Sequence, residues 1–324
     1  MRKKRILSAL LAAMLLLELS ACRKESPKEI VLDGEDTLAP SASITVTPET
    51  PPEPEAEPEI EPEPETDPAL SPFYPENELA DKGNLSGDWA FINDLSGTQI
   101  PWGPGTNFDF DGKPTACRLL QADWGAYDAD FVRTGEAYEN KVYLTFDEGY
   151  ENGYTAAILD TLKEKGVSAV FFVTLPYVKS EPELVRRMID EGHIVGNHTA
   201  RHPNMTTETP SDAYDEVADL HNYVKENFGY EMFLFRFPEG AFSEQTLALM
   251  QKMGYRSVFW SFAYKDWDPD NQYDNETAFR KVTGSLHSGE IFLLHAVSKT
   301  NAAILGDFID TVRSEGYTFT RYDQ

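Results

Sequence analysis

The stretch that decides the fold is Lys141-Val142-Tyr143-Leu144-Thr145-Phe146-Asp147-Glu148-Gly149-Tyr150. Its first half alternates in side-chain type and is rich in β-branched and aromatic residues, which predicts a buried β-strand. The strand ends in two adjacent carboxylates, Asp147 and Glu148. In an α/β fold the C-terminal ends of the strands face the open crevice, where chemistry takes place. Taken alone, the stretch also fits a solvated acidic turn.

Downstream of this strand, apolar patterns typical of strands and helices alternate to the end of the chain. Such alternation favours parallel strands joined by right-handed crossovers. We therefore expect an α/β fold, a distorted or incomplete (β/α)7 barrel, over residues 140–324. The expected strands after the first are 168–173, 193–197, 233–236, 256–260, 291–295 and 317–320, and the expected helices are 154–165, 181–191, 210–228, 243–253, 275–287 and 301–315.

The chain begins with a secretory leader. A basic Arg2-Lys3-Lys4-Arg5 segment precedes an apolar stretch over 6–17 that is too short to span a bilayer. Leu19-Ser20-Ala21-Cys22 resembles the bacterial lipobox, which implies a lipoprotein signal peptide over 1–21 and lipidation of Cys22. Such a protein is extracytoplasmic and anchored to the cell membrane by its lipid. An ordinary signal peptide with a chance cysteine is the alternative.

Residues 22–72 are rich in proline and glutamate and show no apolar periodicity, which predicts a disordered, extended linker. Residues 73–139 hold many aromatic residues broken by glycines, and we expect them to pack on the core as an extension. The net charge of the chain is -27, and this acidity argues against a nucleic-acid partner. Cys117 is the single cysteine outside the leader and is expected to be a buried, small apolar residue. We expect a monomer.

Polar side chains recur where the predicted strands end. Five strand ends carry them, and the ends of parallel strands meet at one face of a barrel, so that residues distant in sequence come together. Each of these features also has a purely structural explanation. Polar side chains at five strand ends on the same face nevertheless favour a functional site. The residues are Asp147 and Glu148, His198 and His202, Arg236 through Gly240, Asp266 and Trp267, and His295.

The spacing of His198 and His202 favours a divalent metal, since on a helix two residues four apart share one face. One carboxylate of the Asp147–Glu148 pair would complete the ligand set if a turn at Gly149 brings both inward, while the other takes a proton from water. Arg236 is the candidate partner that holds the base ionised. His295 is suited to act as the acid, because imidazole titrates near neutral pH.

Together these residues resemble the NodB-homology polysaccharide deacetylases, carbohydrate esterase family 4. Thr145 through Gly149 resembles the family's Thr-Phe-Asp-Asp-Gly, His198-Thr199-x-x-His202 its His-Ser/Thr-x-x-His, and Arg236-Phe237-Pro238-Glu239-Gly240 its Arg-Pro-Pro-x-Gly. Asp266-Trp267 and Leu294-His295 match the last two motifs. The longer segments around Asp147, Asn197 and His295 are similar to the muramic acid deacetylases of spore cortex, which act on peptide-free N-acetylmuramic acid so that its δ-lactam can form.

The resemblance implies roles for these residues. Asp147 is the general base, and His198, His202 and Glu148 hold a divalent metal, with zinc as the expected ion. His295 protonates the leaving amine with help from Asp266, while Arg236 completes the catalytic set and Thr199 braces the histidine loop. The substrate is held by Trp267, Leu294, Pro238 and Glu239, with the backbone N–H of Glu239 at the oxyanion. Two positions depart from the family pattern: Glu148 stands for its metal-binding aspartate, and Phe237 for a proline.

Other functions were weighed against this one. Asp147 and Glu148 are too close in sequence to flank a glycosidic bond, which disfavours a glycoside hydrolase. The acidic segment 268–272 lacks the glycine that a calcium loop needs at its sixth position. The resemblance therefore implies release of acetate from peptidoglycan glycan strands, with peptide-free N-acetylmuramic acid as the first substrate. The alternatives are N-acetylglucosamine of peptidoglycan or another polymer, and a non-catalytic lipoprotein that binds glycan.

Overall fold

Short runs rich in Val, Ile, Leu and Phe form a sheet that is parallel throughout, and helices connect most of the successive strands and return the chain to the same end. The computed structural model describes residues 70–324, and the predicted signal peptide, Cys22 and the linker up to residue 69 lie outside them. Nine strands form the sheet within this part of the chain. They are β1 (Ala129–Asp130), β2 (Lys141–Glu148), β3 (Val170–Val173), β4 (Ile194–Asn197), β5 (Leu234–Phe235), β6 (Arg256–Val258), β7 (Phe262–Ala263), β8 (Glu290–His295) and β9 (Thr318–Phe319).

The helices follow the apolar periodicity of the sequence and end at recognisable stop signals. Gly166 and Gly229 adopt left-handed conformations just after two of the helices. Ser243 caps another helix in a capping box with Thr246. The helices are α1 (Thr115–Trp124), α2 (Thr155–Lys165), α3 (Leu175–Ser180), α4 (Pro182–Asp190), α5 (Pro210–Phe228), α6 (Glu244–Lys252), α7 (Asn275–Thr283) and α8 (Lys299–Ser314).

The strand order confirms the predicted incomplete barrel. Neighbouring strands run β1-β6-β5-β4-β3-β2-β8-β7, and β9 pairs with the start of β2. The strands at the two ends of this order are not paired with each other, so the sheet does not close. β2 lies inside the sheet, between β3 and β8. The segment 141–150 therefore contains the strand that pairs with three others, β3, β8 and β9.

Apolar side chains are buried on both faces of the sheet. Along β2, Val142, Leu144 and Phe146 belong to the main core, while Tyr143 belongs to a second, smaller cluster. The members of the smaller cluster come from one face of successive strands and from the C-terminus: Tyr143, Val170, Phe172, Ile194, Leu234, Val258, Ile291 and Tyr322. This alternation along β2 follows from the two-residue period of a strand.

The structure differs from the predicted elements in several places, and one of them is the short helix α3, which was not predicted. The helix expected over 275–287 ends at Thr283, because Gly284 follows it and the chain turns before β8. The strand expected over 256–260 ends at Val258 as β6, and the separate strand β7 at Phe262–Ala263 was not predicted. The segment 73–139 packs on the core and also contributes α1 and β1, which pairs with β6 inside the sheet. β1 and β7 each have only two residues, too few to show a periodic pattern, and neither was predicted.

No helix within residues 70–324 combines the length and the hydropathy needed to cross a bilayer.

Candidate active site

A cavity of about 570 Å³ opens where β2, β4 and β8 end. The register places these ends side by side: Asp147 on β2 lies opposite His295 on β8. The cavity collects the side chains from several strand ends that the sequence analysis grouped together. Its walls are formed by Asp147, Gly149, Tyr150, His198, His202, Phe237, Glu239, Trp260, Ala263, Tyr264, Trp267, Leu293, His295 and Val297.

Asp147 and Arg236 form a buried ion pair beneath this cavity. One guanidinium nitrogen of Arg236 lies 2.8 Å from Asp147 Oδ1 and also donates to the Thr145 hydroxyl, at 2.8 Å. Its other nitrogens donate to the carbonyl oxygens of Val258 and Phe259. Arg236 is fully buried. The side chain is thus held by four acceptors, and the sequence-predicted partnership with the base is present.

Arg236 also rests on an aromatic ring. Its guanidinium carbon lies 4.2 Å from the centre of the Phe172 ring. A Cβ added at Gly196 on the neighbouring strand would come within 2.4 Å of that ring. Glycine at 196 therefore gives Phe172 the space that it occupies under the guanidinium, and a charge that is cut off from water gains cation–π stabilisation.

The surroundings keep Asp147 in its charged form. Burial by itself raises the pKa of a carboxyl, but Arg236, followed by His198 and His295, lowers the pKa of Asp147 below its usual value. The second carboxylate oxygen, Oδ2, lies 3.6 Å from His198 Nε2. Asp147 is therefore an ionised proton acceptor that faces the cavity beside an imidazole.

The histidine pair is held by a turn and not by a helix. The rings of His198 and His202 are 4.7 Å apart between centres and nearly perpendicular. Thr199 and His202 both have positive φ angles, 72° and 60°, so the chain turns back on itself directly after β4. The His202 N–H donates to the Thr199 hydroxyl at 2.9 Å, which is the bracing contact predicted for Thr199. The predicted pairing of the two imidazoles is therefore present, by a different backbone.

Burial keeps the His198 imidazole neutral. Its Nδ1 lies 2.8 Å from the carbonyl oxygen of Arg236, which places the proton on Nδ1 and leaves the lone pair on Nε2. Burial lowers the pKa of His198 to about 4, and the nearby Asp147 charge only partly opposes this. A neutral imidazole with a free Nε2 and a fixed second nitrogen is the form that binds a metal ion.

His295 lies across the cavity and is oriented by Asp266. The His295 Nδ1 is 2.7 Å from Asp266 Oδ1, and the His295 backbone N–H donates to Asp266 Oδ2 at 2.8 Å. Asn301 donates to the same Oδ2 at 2.6 Å and to the His295 carbonyl oxygen. Burial opposes protonation, but the charge and hydrogen bond of Asp266 raise the pKa of His295 above its usual value. His295 is therefore positioned as a proton donor.

Replacing Asp266 by asparagine is expected to shift the basic limb of the kcat/KM–pH profile to lower pH. The acid form of His295 is needed for proton donation, so activity falls as pH rises through the pKa of His295. Removing the Asp266 charge lowers the pKa of His295. The acid limb reports the pKa of Asp147, which lies below the usual aspartate value and is expected to stay there. Profiles of both proteins test this, with the exposed Asp270→Asn as control. An unmoved basic limb would assign the acid to another group.

Glu148 lies outside the cavity, which corrects the expectation that it reaches the metal. β2 continues through Glu148, so the side chains of Asp147 and Glu148 point to opposite faces of the sheet. Glu148 is fully buried, and neither carboxyl oxygen has a hydrogen-bond partner. Burial, followed by the charges of Glu151 and Asp147, raises its pKa well above the usual value. The expected turn at Gly149 comes one residue too late to bring both carboxylates inward.

The donor set therefore fits a divalent ion through its two imidazoles. Within residues 70–324 no three or more His, Cys, Asp or Glu side chains are arranged as a complete metal cage. His198 and His202 nevertheless face each other at the cavity, and His198 is held in its metal-binding form. Among the carboxylates of residues 70–324, Asp147 is the one that pairs with His198: its Oδ2 lies 3.6 Å from His198 Nε2.

Calorimetric titration of Zn²⁺ into the whole protein is expected to separate Glu148 from the histidines. His198→Ala is expected to weaken binding by more than the roughly 10–100-fold that loss of an outer-shell partner costs. Glu148→Gln is expected to leave the affinity within about twofold, because burial already favours the neutral carboxyl. A large loss of affinity in Glu148→Gln would return Glu148 to the ligand set. Circular dichroism of both variants controls for folding.

The residues predicted to hold substrate divide between the cavity and the core. Trp267 and Glu239 line the cavity, whereas Pro238 and Leu294 are buried and do not. Leu294 belongs to the main core, and Leu293 takes its place on the wall. Strand alternation explains the correction, because Leu293 lies two residues before His295 and so shares its face.

Glu239 adopts a backbone conformation with φ 58° and ψ 5°, in a single turn over Pro238–Gly240. Together with Thr199 and His202, it is one of five non-glycine residues with positive φ in residues 70–324. Three of the five therefore lie in the loops of the cavity, where strained backbone is a common mark of a functional site.

Sequence reasoning missed several side chains that support the site. Asn301 connects Asp266 to the His295 backbone, and Asn197 accepts a hydrogen bond from the Thr199 N–H at 2.9 Å. Tyr150 is an exposed member of the cavity wall. Asn197 stands directly before the first histidine and Tyr150 directly after Gly149, so proximity to a motif was an available signal for both. Asn301 lies on α8, away from every motif.

Comparison with known proteins gives consistent results. A family model described as polysaccharide deacetylase matches residues 134–258. The chain is 40% identical over 240 residues to the peptidoglycan-N-acetylmuramic acid deacetylase PdaA of Bacillus subtilis, an alignment that covers 74% of this chain and 90% of that protein. It is 34% identical over 185 residues to the peptidoglycan-N-acetylglucosamine deacetylase PgdA of Listeria monocytogenes, covering 57% of this chain and 38% of that protein.

Solved structures agree with these alignments. The structure of B. subtilis PdaA, a family 4 carbohydrate esterase, superposes with a TM-score of 0.66 at 40% identity, covering 71% of this chain and 97% of that one. A family 4 carbohydrate esterase from Bacillus anthracis gives a TM-score of 0.58 at 39% identity, with 71% and 96% covered.

Proposed function

We propose that this chain, which belongs to the polysaccharide deacetylase family of carbohydrate esterase family 4, removes N-acetyl groups from peptidoglycan glycan strands. The observation that carries the proposal is the cavity in which an ionised Asp147, bound to Arg236, faces His198 and lies in register with His295. This arrangement provides a base on one side and an acid on the other, which amide hydrolysis requires.

The proposed reaction begins with a water molecule in the cavity. The oxygen of this water attacks the acetamide carbon while Asp147 takes a proton from the water. The carbonyl oxygen then acquires negative charge. Arg236 keeps Asp147 ionised between turnovers. The backbone N–H of Glu239 is the proposed donor to the developing oxyanion, and a fixed donor of this kind contributes most where charge develops.

Collapse of the tetrahedral adduct breaks the C–N bond. His295 gives its proton to the nitrogen, so that the products are acetate and a free amino sugar. Asp266 fixes the tautomer and orientation of the imidazole through Nδ1, and it stabilises the imidazolium before transfer. Proton uptake by Asp147 and proton release by His295 balance once both groups return to their starting states.

We further propose a divalent metal, with zinc as the expected ion, held by His198 and His202. When bound, such an ion supplies Lewis acidity that polarises the acetyl carbonyl and lowers the pKa of water. The support is the neutral, oriented state of His198 and the approach of the two rings. The catalytic groups of the chain itself remain Asp147 and His295.

The first proposed substrate is N-acetylmuramic acid freed of its peptide, the reaction that precedes δ-lactam formation. Its support is the match to the B. subtilis muramic acid deacetylase, which extends over 90% of that protein at 40% identity. A role in sporulation is part of the same proposal.

One feature of the cavity favours N-acetylglucosamine as a second candidate. Peptide-free muramic acid carries a lactyl carboxylate, which binds most readily beside a cation. The walls of the cavity contain no lysine or arginine among the described residues, and the exposed Glu239 adds a carboxylate. A neutral sugar meets no such repulsion.

Acetate release from three substrates decides between these candidates: intact peptidoglycan, peptide-stripped glycan and chitin oligomers. The muramic proposal expects activity on the stripped glycan and little on the intact polymer, because the peptide occupies the lactyl group. Full activity on intact glycan with none on stripped glycan would overturn it. Activity on chitin oligomers would favour N-acetylglucosamine, and absence of acetate from all three would overturn the proposed function.

We also propose that the mature protein is anchored to the outer face of the cell membrane through lipid on Cys22. The support is the lipobox-like sequence Leu19-Ser20-Ala21-Cys22 after a basic and apolar leader. Metabolic labelling with a palmitate analogue is expected to mark the natural protein and to leave Cys22→Ala unlabelled. Labelling of Cys22→Ala would overturn the assignment.

A further inference from the structure

Two exposed aromatic rings stand at the cavity that has just been described. Tyr150 is 52% exposed and Trp267 is 56% exposed, and both line the cavity. The other large apolar side chains that are equally exposed in residues 70–324, such as Phe110 at 90%, are not part of its walls. Exposed aromatic surface beside a binding cavity is characteristic of recognition sites.

The Tyr150 ring has no part in the core or in proton transfer. It belongs to neither hydrophobic cluster, and its hydroxyl forms no hydrogen bond within the described chain. It immediately follows Gly149, three residues beyond Asp147, so it is fixed relative to the base by the end of β2. A ligand that covers this ring would remove apolar surface from water, which favours binding.

The loop that carries Tyr150 is held in place. The side-chain amide of Asn152 donates to the Val297 carbonyl oxygen at 2.9 Å, and Val297 itself lines the cavity. Glu151 Oε1 accepts from the Thr155 N–H at the start of α2. A ring held in advance binds a ligand without paying the cost of ordering the loop.

Trp267 lies on the loop after β7, beside a lysine. The Lys265 ammonium lies 5.3 Å from the centre of the indole ring, and it is paired with Asp268 at 3.0 Å. In the sheet, β8 separates β2, which precedes Tyr150, from β7, which precedes Trp267. The two rings therefore flank the strand that delivers the acid.

We propose that Tyr150 is a substrate-binding residue that stacks on a sugar ring next to the unit whose acetyl group enters the cavity, opposite Trp267. The apolar C–H face of a pyranose fits against an aromatic ring, and its hydroxyls stay in water at the open mouth. The ligand is thus a run of linked sugars, and the enzyme acts within a glycan strand in preference to a single sugar. This inference rests on the proposed function, because the acetylated glycan is the ligand in both.

The test compares kinetics on N-acetylated glycan oligomers of increasing length. Tyr150→Ala is expected to raise KM about tenfold on the longer oligomers, with kcat kept and with little change on the shortest. Tyr150→Phe is expected to match the natural protein, because the ring and not the hydroxyl makes the contact. Phe110→Ala, which removes a still more exposed ring away from the cavity, is the matched control and is expected to change nothing.

Two results would overturn the role of Tyr150. One is an equal effect of Tyr150→Ala at every oligomer length, and the other is an equally damaging Tyr150→Phe. Calorimetric binding of a long oligomer to Asp147→Asn, with and without Tyr150→Ala, tests the contact without turnover. An unchanged affinity there would also overturn it. Failure of the proposed function is a different result, namely no acetate from any oligomer with the natural protein.

Discussion

Asp147→Asn is expected to lower kcat for acetate release by about 10²–10⁴-fold, the contribution typical of a positioned acid or base. Asparagine keeps the shape of the side chain and one acceptor oxygen for Arg236, but it cannot accept the proton that the attacking water must lose. Burial raises the pKa of a carboxyl, and this site overcomes that effect with Arg236 and two imidazoles to keep Asp147 charged. Loss of that prepared charge removes the base itself.

The adjacent carboxyl supplies the matched control for this variant. Glu148→Gln changes the neighbouring residue in the same chemical way, on the opposite face of β2. It is expected to keep kcat within about threefold, because Glu148 does not line the cavity and its neutral form is favoured. Acetate release and oligomer binding are measured for both variants. Equal losses in the two would show that the carboxyls act together and would contradict the separation of their roles.

Arg236→Met is expected to reduce the free energy of unfolding by about 3–5 kcal/mol, a large share of the roughly 5–15 kcal/mol that keeps a domain folded. Arg236 has no exposed surface and donates to Asp147, Thr145, Val258 and Phe259. Its removal leaves a buried carboxylate without a countercharge and several acceptors without donors. Urea denaturation measured at neutral pH gives the loss.

A double substitution separates the ion pair from the packing. Adding Asp147→Leu to Arg236→Met removes the stranded charge, so part of the lost stability is expected to return. The pair of single variants and the double variant form a cycle whose coupling term measures the pair. If the double variant is as unstable as the sum of the single ones, the charge of Asp147 is not what makes Arg236→Met costly.

The order of strands and helices followed from apolar periodicity, and the site followed from what stands at the strand ends. The pattern predicted α5 over 210–228, and the structure has it at Pro210–Phe228, because Thr209 caps its start and Gly229 ends it. Apolar periodicity did not predict the short strands β1 and β7. β1 has two residues, and only its pairing with β6 makes it a strand.

The errors at the site came from backbone direction. Strict alternation along β2 places Asp147 and Glu148 on opposite faces, and the expectation of a turn at Gly149 set that rule aside. The same rule applied to β8 selects Leu293 over Leu294. The histidine pair shows the converse case. The spacing of four suggested a helix, but two positive φ angles produce the same proximity through a turn that sequence spacing does not reveal.

The pairing of β1 with β6 bears on how the catalytic domain is delimited. β6 lies between β1 and β5, so removal of the chain before residue 140 would leave its outer N–H and C=O groups open to water or to another molecule. Unprotected strand edges are templates for association with other chains. The segment 73–139 therefore covers an edge of the sheet that would otherwise be exposed. A shortened chain that begins at residue 140 is expected to aggregate, whereas a chain that retains Ala129–Asp130 is expected to stay monodisperse.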